Sequence, residues 1–390
     1  MSTESRYFLS LVRSALCDEA PENAPQGVNF NTILKLSYYH NLIELVSYAI
    51  PKVVPCVPEE IASSFDRLKR AGIAREVNQD IELELLLTKF REAKIDIMLL
   101  KGTIIKHLYR LPDMRSMCDL DMLIKYEDLD KIDALMRELG YIERVDSDHD
   151  VSYRKPPYLN IELHYSITQA DFGKRAHEYF KDAWSLAKLR EGEECVYEQS
   201  REDFYVHHID HMSKHYATGG CGVRPFCDIY IYLEKYGKEL DWSYINATLE
   251  KIGLYKFGEH MKSLAYKWFG DGAGDEMSEQ IEGYILSGGS FGTKERGALS
   301  IIARKGTKNK RVSRFKLIWY KLFLPYRHMC VVYPSLKKVP FLLPFYWVHR
   351  IFRTLLFRRG RLKENLQVGE REGAVMELAN HLESVGLTDF

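Results

Sequence analysis

The stretch LLKGTIIKHLYRLPDMRSMCDLDMLI, residues 99–124, contains the pattern from which the fold is predicted. It begins at the end of a short apolar run, IDIMLL at residues 95–100, which predicts a first strand. It then turns at a glycine and ends in a second run where charged and apolar residues alternate. Alternation with a period of two is typical of a strand with one buried face, so residues 120–124 are predicted to form such a strand. A third run, NIELHYSI at residues 160–167, predicts another strand.

Helical periodicity surrounds these predicted strands. Leu, Ile and Phe recur at three- and four-residue intervals before them, and a capping sequence at Ser200 opens further helical patterns. Strands that alternate with helices predict an α+β fold with an α/β-like core. The predicted parts are a helical amino-terminal region (1–92), a core of strands and helices (93–198), a helical domain (199–290), a basic aromatic segment (296–363) and a carboxy-terminal helix (364–390).

Charge is distributed unevenly along the chain. The 390 residues include 55 Lys or Arg and 55 Asp or Glu, but residues 296–363 contain 18 of the basic residues and no acidic one. The other residues therefore have 37 basic against 55 acidic side chains, a balance of −18. The seven cysteines are scattered without a C-x-x-C pair, which is typical of a reduced protein. No signal-peptide pattern or membrane-spanning run is found, so we expect a cytoplasmic protein.

Three acidic residues lie in or beside the predicted strands: Asp119, Asp121 and Glu162. A period of two places Asp119 and Asp121 on one face, while Leu120 and Met122 point to the opposite, buried face. Glu162, between two apolar residues on its own strand, joins them if the two strands are neighbours. The alternative interpretation of the D-x-D pair is a solvated strand edge.

Three ionised carboxylates cannot share a small area without compensation. At separations of about 4 Å and an effective dielectric constant near 20, three mutual pairs repel by roughly 12 kcal/mol. Since whole domains are stable by only about 5–15 kcal/mol, such a cluster takes up protons or binds cations. Hard divalent ions prefer oxygen ligands, and Mg²⁺ is the usual ion beside phosphates.

The sequence Lys101-Gly102-Thr103 follows the first apolar run directly and is predicted to begin a helix. Gly102 allows close approach of the backbone to a ligand, and free amides at a helix start favour phosphate oxygens. Lys101 and Arg115 are candidates to neutralise the charge of a triphosphate. We therefore expect a phosphate-binding turn upstream of the acidic cluster.

The quoted stretch, together with NIELHYSI and HMSKHYATGGCGVRPFCDIYIYL (211–233), resembles the uncharacterised nucleotidyltransferase family of the DNA polymerase beta-like superfamily, which is often found in bacterial polysaccharide gene clusters. The resemblance covers residues 30–240. It implies that residues 93–198 are a catalytic core with a small mixed sheet of the nucleotidyltransferase type. It also implies Mg²⁺-dependent transfer of a nucleoside monophosphate from a nucleoside triphosphate to a hydroxyl. The acceptor that we expect is a sugar or a cell-surface polysaccharide precursor.

The resemblance also assigns roles to single residues. It implies that Asp119, Asp121 and Glu162 are catalytic and hold two Mg²⁺ ions during turnover, with Glu162 also accepting the proton of the hydroxyl. Gly102 and Thr103 match the opening of the phosphate-binding helix, although Ser or Gly is more common at the second position. A second shared motif supplies four further nucleotide-binding candidates, namely Lys214, His215, Arg224 and Asp228.

The histidine-rich stretch HHIDHMSKHY, residues 207–216, has four interpretations. A zinc site requires His211 and His215 with Cys221 and Cys227, and the spacing of these cysteines is wider than usual. A metal-dependent phosphohydrolase requires an adjacent His-Asp pair, which this stretch lacks. In the third interpretation the histidines have no ligand role, and in the fourth they form a wall of the nucleotide pocket.

The basic aromatic segment has three alternative partners. Its Lys, Arg, Phe, Tyr and Trp residues suit an anionic membrane surface, which predicts a peripheral position at the inner face of the membrane. They also suit single-stranded nucleic acid. The two long apolar clusters of the segment argue against binding of nucleic acid. Packing against the acidic remainder of the chain is the third alternative.

For the whole protein, the alternative to an enzyme is a non-catalytic nucleotide-binding or membrane-surface accessory protein. A transferase that acts on tRNA or on protein is also open.

Overall fold

The structure is a computed structural model of the 390-residue chain. It describes residues 1–147, 149–157, 159–169, 173–290, 292–293, 296–297, 299–300, 323, 326, 329, 333–337, 339–357 and 372–388. The chain divides into two compact units. The first contains Met1–Thr293 and Val385–Phe390, and the second contains Lys294–Ser384.

The first unit begins with four helices, as the helical periodicity predicts. They are α1 (Thr3–Cys17), α2 (Phe30–Tyr39), α3 (Ile43–Val46) and α4 (Glu59–Glu92). The side chains of Ser2 and Asn29 cap α1 and α2 by accepting hydrogen bonds from backbone amides three residues later. Helix α4 is 34 residues long and has acidic residues in its first turn and basic residues in its last, which suits the helix dipole.

A seven-stranded mixed sheet follows, with the order β3-β4-β5-β2-β1-β7-β6. The strands are β1 (Ile97–Leu99), β2 (Leu120–Ile124), β3 (Glu143–Asp146), β4 (Asp150–Lys155), β5 (Leu159–His164), β6 (Ala187–Leu189) and β7 (Val196–Gln199). Strand β2 is parallel to β5 and β1 is parallel to β7, whereas the other pairs are antiparallel. The predicted α+β fold with a mixed sheet is confirmed, and the sheet is larger than the three predicted strands.

Helices lie between and after the strands. In the first unit they are α5 (Gly102–Ile105), α6 (Leu129–Glu138), α7 (Lys174–Tyr179), α8 (Arg201–Thr218), α9 (Arg224–Tyr236), α10 (Trp242–Ile252), α11 (Tyr255–Phe269) and α12 (Ser278–Gly288). Ser200 caps α8, as predicted, because its side chain accepts a hydrogen bond from the Asp203 amide. The described helices of the second unit include α13 (Leu343–Phe357) and α14 (Glu372–Ser384).

One face of the sheet is buried against α4 and α6. Leu86 and Phe90 of α4 and Met136 of α6 pack in one cluster with Leu120 and Met122 of β2. Because side chains alternate between the faces of a strand, the residues between these apolar positions point to the opposite face. We call this opposite face the site face.

The helix predicted to begin after Lys101 is present and is short. Helix α5 has four residues and continues as a 3₁₀ turn, Lys106–Leu108. A single turn aligns few peptide dipoles. Phosphate binding at this helix start stays a prediction. Gly102 instead permits close packing, since a Cβ atom there would lie 2.5 Å from Arg115 Nη1 and 2.7 Å from Met117 Sδ.

A buried ion pair joins the loop before β2 to helix α9. Arg115 Nε and Nη2 each donate to a different oxygen of Asp228, at 2.8 Å, and the Tyr109 hydroxyl donates to Asp228 Oδ1 at 2.7 Å. Arg115 and Asp228 are 8% and 1% exposed. Burial alone would raise the pKa of Asp228, but the guanidinium holds it below its usual value. The pair fixes the loop that leads into β2.

The membrane-related predictions concern mainly the second unit. Among the described residues, no helix is both long enough and apolar enough to cross a membrane. Residues 301–322 and 358–371, which include much of the basic aromatic segment, lie outside the described residues.

Replacing Asp228 by Asn tests the ion pair as a structural link. Asp228→Asn leaves the buried charge of Arg115 without a carboxylate, so the free energy of unfolding should fall by about 3–5 kcal/mol. Asp66→Asn is the matched control, because Asp66 pairs with Arg70 at a site where the two side chains are 58% and 78% exposed. We expect this control to cost less than about 1 kcal/mol in urea unfolding. Equal losses in the two variants would contradict the structural role.

Candidate functional site

Two acidic residues face each other across adjacent strands on the site face. Asp121 of β2 is directly opposite Glu162 of β5 in the parallel pairing. Asp119 immediately precedes β2. The strands that carry the predicted acids are therefore neighbours, as the hypothesis required. Neighbouring strands are about 5 Å apart, so the repulsion between two ionised groups here is about 3 kcal/mol at an effective dielectric constant near 20.

A lysine and a histidine contact Asp121. Lys101 Nζ donates to Asp121 Oδ1 at 3.2 Å, and His164 Nε2 lies 2.6 Å from the same oxygen. Lys101 has a backbone φ of 43°, an uncommon value for a residue with a side chain. Such a conformation costs of order 1–3 kcal/mol and is often found at functional sites. The strained residue therefore places its ammonium group at the acidic cluster.

The acids differ in their proton affinity. Burial alone would raise the pKa of Asp121, but the charge of Lys101 and the contact with His164 hold it well below its usual range. Burial, followed by the charge of Asp121, raises the pKa of Asp119. The pKa of Glu162 is raised by burial and then by the charges of Asp119 and Asp121. Asp121 is therefore firmly ionised, whereas the surroundings of Asp119 and Glu162 destabilise the ionised forms of these two carboxylates.

Helix α8 forms the opposite wall of a cleft over the site face. The pocket is lined by residues from the ends of β1, β4 and β5, from the loop after β5, and from α8. They are Lys101, His149, His164, Ser166, Ile167, Thr168, Gln169, Gly173, Asp210, His211 and Lys214. Charged, imidazole and hydroxyl groups predominate, so the pocket suits a polar, ionised ligand.

The part of α8 at this pocket combines a cation with neutral rings. Burial and the charge of Lys101 lower the pKa of Lys214. Burial, Lys214 and Lys101 lower the pKa of His215 to about 4, and burial together with the same kind of repulsion lowers that of His211. The Nε2 atoms of His211 and His215 are 3.2 Å apart. Two neutral imidazoles can share a hydrogen bond at this distance, whichever ring carries the proton.

The remaining predicted site residues have varied surroundings. Thr103 is buried, with its hydroxyl 3.5 Å from the backbone oxygen of Asp121. Arg224 donates to the backbone oxygen of Ser116 at 3.1 Å, in the loop before Asp119. Arg115 and Asp228, both predicted to bind nucleotide, are paired with each other. Their contact with a nucleotide, like that of Gly102, stays a prediction.

The four residues of the hypothetical zinc site, His211, His215, Cys221 and Cys227, do not form a metal-binding cluster in the structure. Among the described residues, the clusters of three or more ligand atoms within 4.8 Å of one another are Asp121–Glu162–His164 and His149–Asp150–His164. The set with His211, His215, Cys221 and Cys227 is not among them. The Cys221 thiol is buried and directed at a backbone oxygen. The six described cysteines are all free.

Sequence reasoning missed His164, although its signal was present. His164 is two residues after Glu162, so the strand period places both on the site face. Asp150 was missed because β4 was not predicted, and its pairing with His164 follows only from the sheet order. Asp210 was missed because HHID lacks the adjacent His-Asp pair of a known metal motif.

Asp210 predicts a pH dependence of stability. Burial raises its pKa to about 7, against the influence of Lys214. Between about pH 4 and 7 the folded protein holds a proton that the unfolded chain has lost, so the free energy of unfolding falls as pH rises, by up to about 1.4 kcal/mol per pH unit. Asp210→Asn removes this dependence. The free energy of unfolding, measured in urea for wild type and for Asp210→Asn, should therefore differ by an amount that changes from pH 5 to 7. For the exposed control Asp130→Asn, the difference from wild type should stay constant. A constant difference for Asp210→Asn would contradict the assignment.

Comparison with known proteins gives one match. A family model described as uncharacterised nucleotidyltransferase matches residues 26–270, which is more than half of the 390 residues. No curated protein and no solved structure matches the chain. The matched range contains the sheet, the acidic cluster and the wall formed by α8. The chain belongs to the uncharacterised nucleotidyltransferase family.

Proposed function

We propose that this protein transfers a nucleoside monophosphate from a nucleoside triphosphate to a hydroxyl, with Mg²⁺ held at the acidic cluster. The family supports nucleotidyl transfer in general. The observation that carries the finer proposal is the placement of Asp121 opposite Glu162, with Asp119 just before the same strand. Acidic side chains that repel one another are typical of sites that bind cations. The acids lie beside the pocket, because Lys101 and His164, which line it, both contact Asp121.

The donor set fits a divalent ion. Ligand atoms of Asp121, Glu162 and His164 lie within 4.8 Å of one another, and Asp119 is close enough to affect the pKa of Glu162. Carboxylate oxygens are the ligands that Mg²⁺ prefers beside phosphates. A divalent ion at Asp119, Asp121 and Glu162, joined by a second during turnover, would offset phosphate charge and activate the acceptor hydroxyl.

The chain's own cations then bind the triphosphate. Lys101 and Lys214 line the same pocket, on opposite walls of the cleft, so a phosphate chain placed between them is neutralised from both sides. Arg224 is a further candidate cation, because its side chain is anchored to the Ser116 backbone oxygen in the loop before Asp119. His215 follows Lys214 on α8 but is not among the residues that line the pocket, and its contact with the ligand stays a prediction.

Glu162 is the proposed proton acceptor for the hydroxyl. Its position opposite Asp121 supports this role, because a hydroxyl activated by the proposed ion would lie beside it. Asp121 serves as a permanent anion, because Lys101 and His164 stabilise its ionised form. The two opposed carboxylates therefore have different roles, although they occupy equivalent positions on adjacent strands.

Substitution of the acids tests this proposal. Asp121→Asn and Glu162→Gln should each lower Mg²⁺-dependent pyrophosphate release by at least about 100-fold, since metal-assisted charge stabilisation contributes several kcal/mol to the barrier. Asp130→Asn is the control, because Asp130 is exposed on α6 at the other face of the sheet. The assay supplies each triphosphate with water, sugars or lipid-linked saccharides as acceptor. Unchanged turnover in either site variant would refute its assigned role.

The acceptor is proposed to be a sugar or a cell-surface polysaccharide precursor. The alternative is an accessory protein that binds nucleotide without turnover. A thermal-shift panel of four triphosphates with Mg²⁺ separates the two when it is combined with the release assay. Selective stabilisation without pyrophosphate release from any acceptor would favour the accessory protein.

An exposed apolar stripe in the second unit supports a location at a membrane surface. Phe341, Phe345, Val348 and Phe352 are 78%, 64%, 54% and 61% exposed, and their spacing of four, three and four residues places them along one side of α13 and the turn before it. Leu343 and Trp347 are on the opposite side and pack against the buried cluster of this unit.

Charge complementarity supports an anionic membrane surface as the occupant of this stripe. It lies within residues 296–363, which contain 18 basic residues and no acidic one. Aromatic side chains enter the headgroup layer of a bilayer, and each basic residue near an anionic surface contributes about 1 kcal/mol. We propose that α13 docks on an anionic membrane surface, where lipid-linked saccharide acceptors are found.

Vesicle sedimentation tests this docking. The full-length protein should sediment with vesicles that contain phosphatidylglycerol and much less with pure phosphatidylcholine, and the double variant Phe345→Ser/Phe352→Ser should lose most of the binding. Ile81→Ser is the control, because Ile81 is 63% exposed on α4. Equal binding by the double variant and wild type would contradict the proposal, as would binding to single-stranded oligonucleotides without binding to vesicles.

A further inference from the structure

His164 occupies a central position in the acidic cluster. It is the last residue of β5, and it pairs with Leu123 of β2 on one side and Asp150 of β4 on the other. Only 6% of its surface is exposed, so its ring is held by the packing around it. A buried imidazole in a sheet position has few alternative orientations, which is the condition for a well-defined ligand.

The imidazole lies between the two opposed carboxylates. His164 Nε2 is 2.6 Å from Asp121 Oδ1 and 3.9 Å from Glu162 Oε2. The three ligand atoms form a compact set within 4.8 Å of one another. Two of these ligands are oxygen anions and the third is a nitrogen.

We propose that His164 is a nitrogen ligand of the divalent ion at this site, so that the site prefers a first-row transition ion such as Mn²⁺ over Mg²⁺. This inference rests on the proposed function, because it concerns the same cation site. Mg²⁺ strongly prefers oxygen ligands, whereas transition ions also accept imidazole nitrogen. A bond from Nε2 to the ion would replace the direct contact between His164 and Asp121. Such a bond contributes more affinity for Mn²⁺ than for Mg²⁺.

A second cluster competes for the same imidazole. His149, Asp150 and His164 also have ligand atoms within 4.8 Å of one another. Within that cluster, however, His149 Nε2 is already in contact with the Gln169 amide, and the Ser147 hydroxyl donates to Asp150. That cluster also offers a single carboxylate, whereas the set with Asp121 and Glu162 offers two. The set with Asp121 and Glu162 is therefore the favoured one.

Pulsed electron paramagnetic resonance of bound Mn²⁺ detects a directly coordinated nitrogen. Wild-type protein loaded with Mn²⁺ alone should show ¹⁴N modulation, and the pattern should change when all histidines are labelled with ¹⁵N. His164→Gln should lose the modulation, whereas His149→Gln should keep it. The labelled wild type needs no substitution, so the nitrogen is tested even if a variant folds poorly.

Affinity supplies the second measurement. Competition of Mg²⁺ against bound Mn²⁺ should show that His164→Gln lowers the preference for Mn²⁺ by about 10-fold or more, a typical effect of altering the groups around a metal. Mn²⁺ binding without nitrogen coupling would overturn the role of His164 and leave the proposed function standing. Loss of the modulation in His149→Gln would assign the ion to the other cluster and also overturn it. Failure to bind either ion would contradict both proposals.

Discussion

The repulsion between Asp121 and Glu162 is the constraint on which the rest of the site depends. The parallel pairing of β2 with β5 places these carboxylates opposite each other on a face that helix α8 covers. Burial there weakens hydration, so each charge must be matched by a partner. Lys101 and His164 provide part of this compensation for Asp121. Glu162 receives less of it, and its pKa is raised accordingly.

The scaffold around this pair explains why the acids stay in place. Apolar residues on the other side of β2 and β5 pack against α4 and α6, which fixes the register of both strands. The buried pair of Arg115 and Asp228 fixes the loop that leads into β2. Gly102 allows this pair to form, because a larger residue would collide with the guanidinium. Gly102 and Arg115, which the sequence suggested for phosphate binding, thus also stabilise the loop before β2.

Three adjacent strands of the sheet, β5, β2 and β1, could be predicted from local pattern, and the other four could not. Strand β2 begins and ends where the alternation does, and Ser200 caps α8 as its sequence indicated. Strand β3 was not predicted because its four residues, ERVD, are all exposed and give no apolar alternation. Strands β6 and β7 are only three and four residues long, which is too short for a clear period.

The site was predictable only in part, for a physical reason. Asp119, Asp121 and Glu162 could be named because charged residues stand out in apolar strands. The pairing of Arg115 with Asp228 joins positions 113 residues apart, and no local pattern encodes such a contact. The place of His164 followed from the strand period, but its contact with Asp121 also required the order of the sheet.

Anomalous diffraction from a crystal soaked in Mn²⁺ tests the binding of a cation by the opposed acids most directly. We expect an anomalous peak between the carboxylates of Asp121 and Glu162, on the face of the sheet that α8 covers. A well-occupied peak elsewhere, with none between these two side chains, would contradict a cation site at this pair.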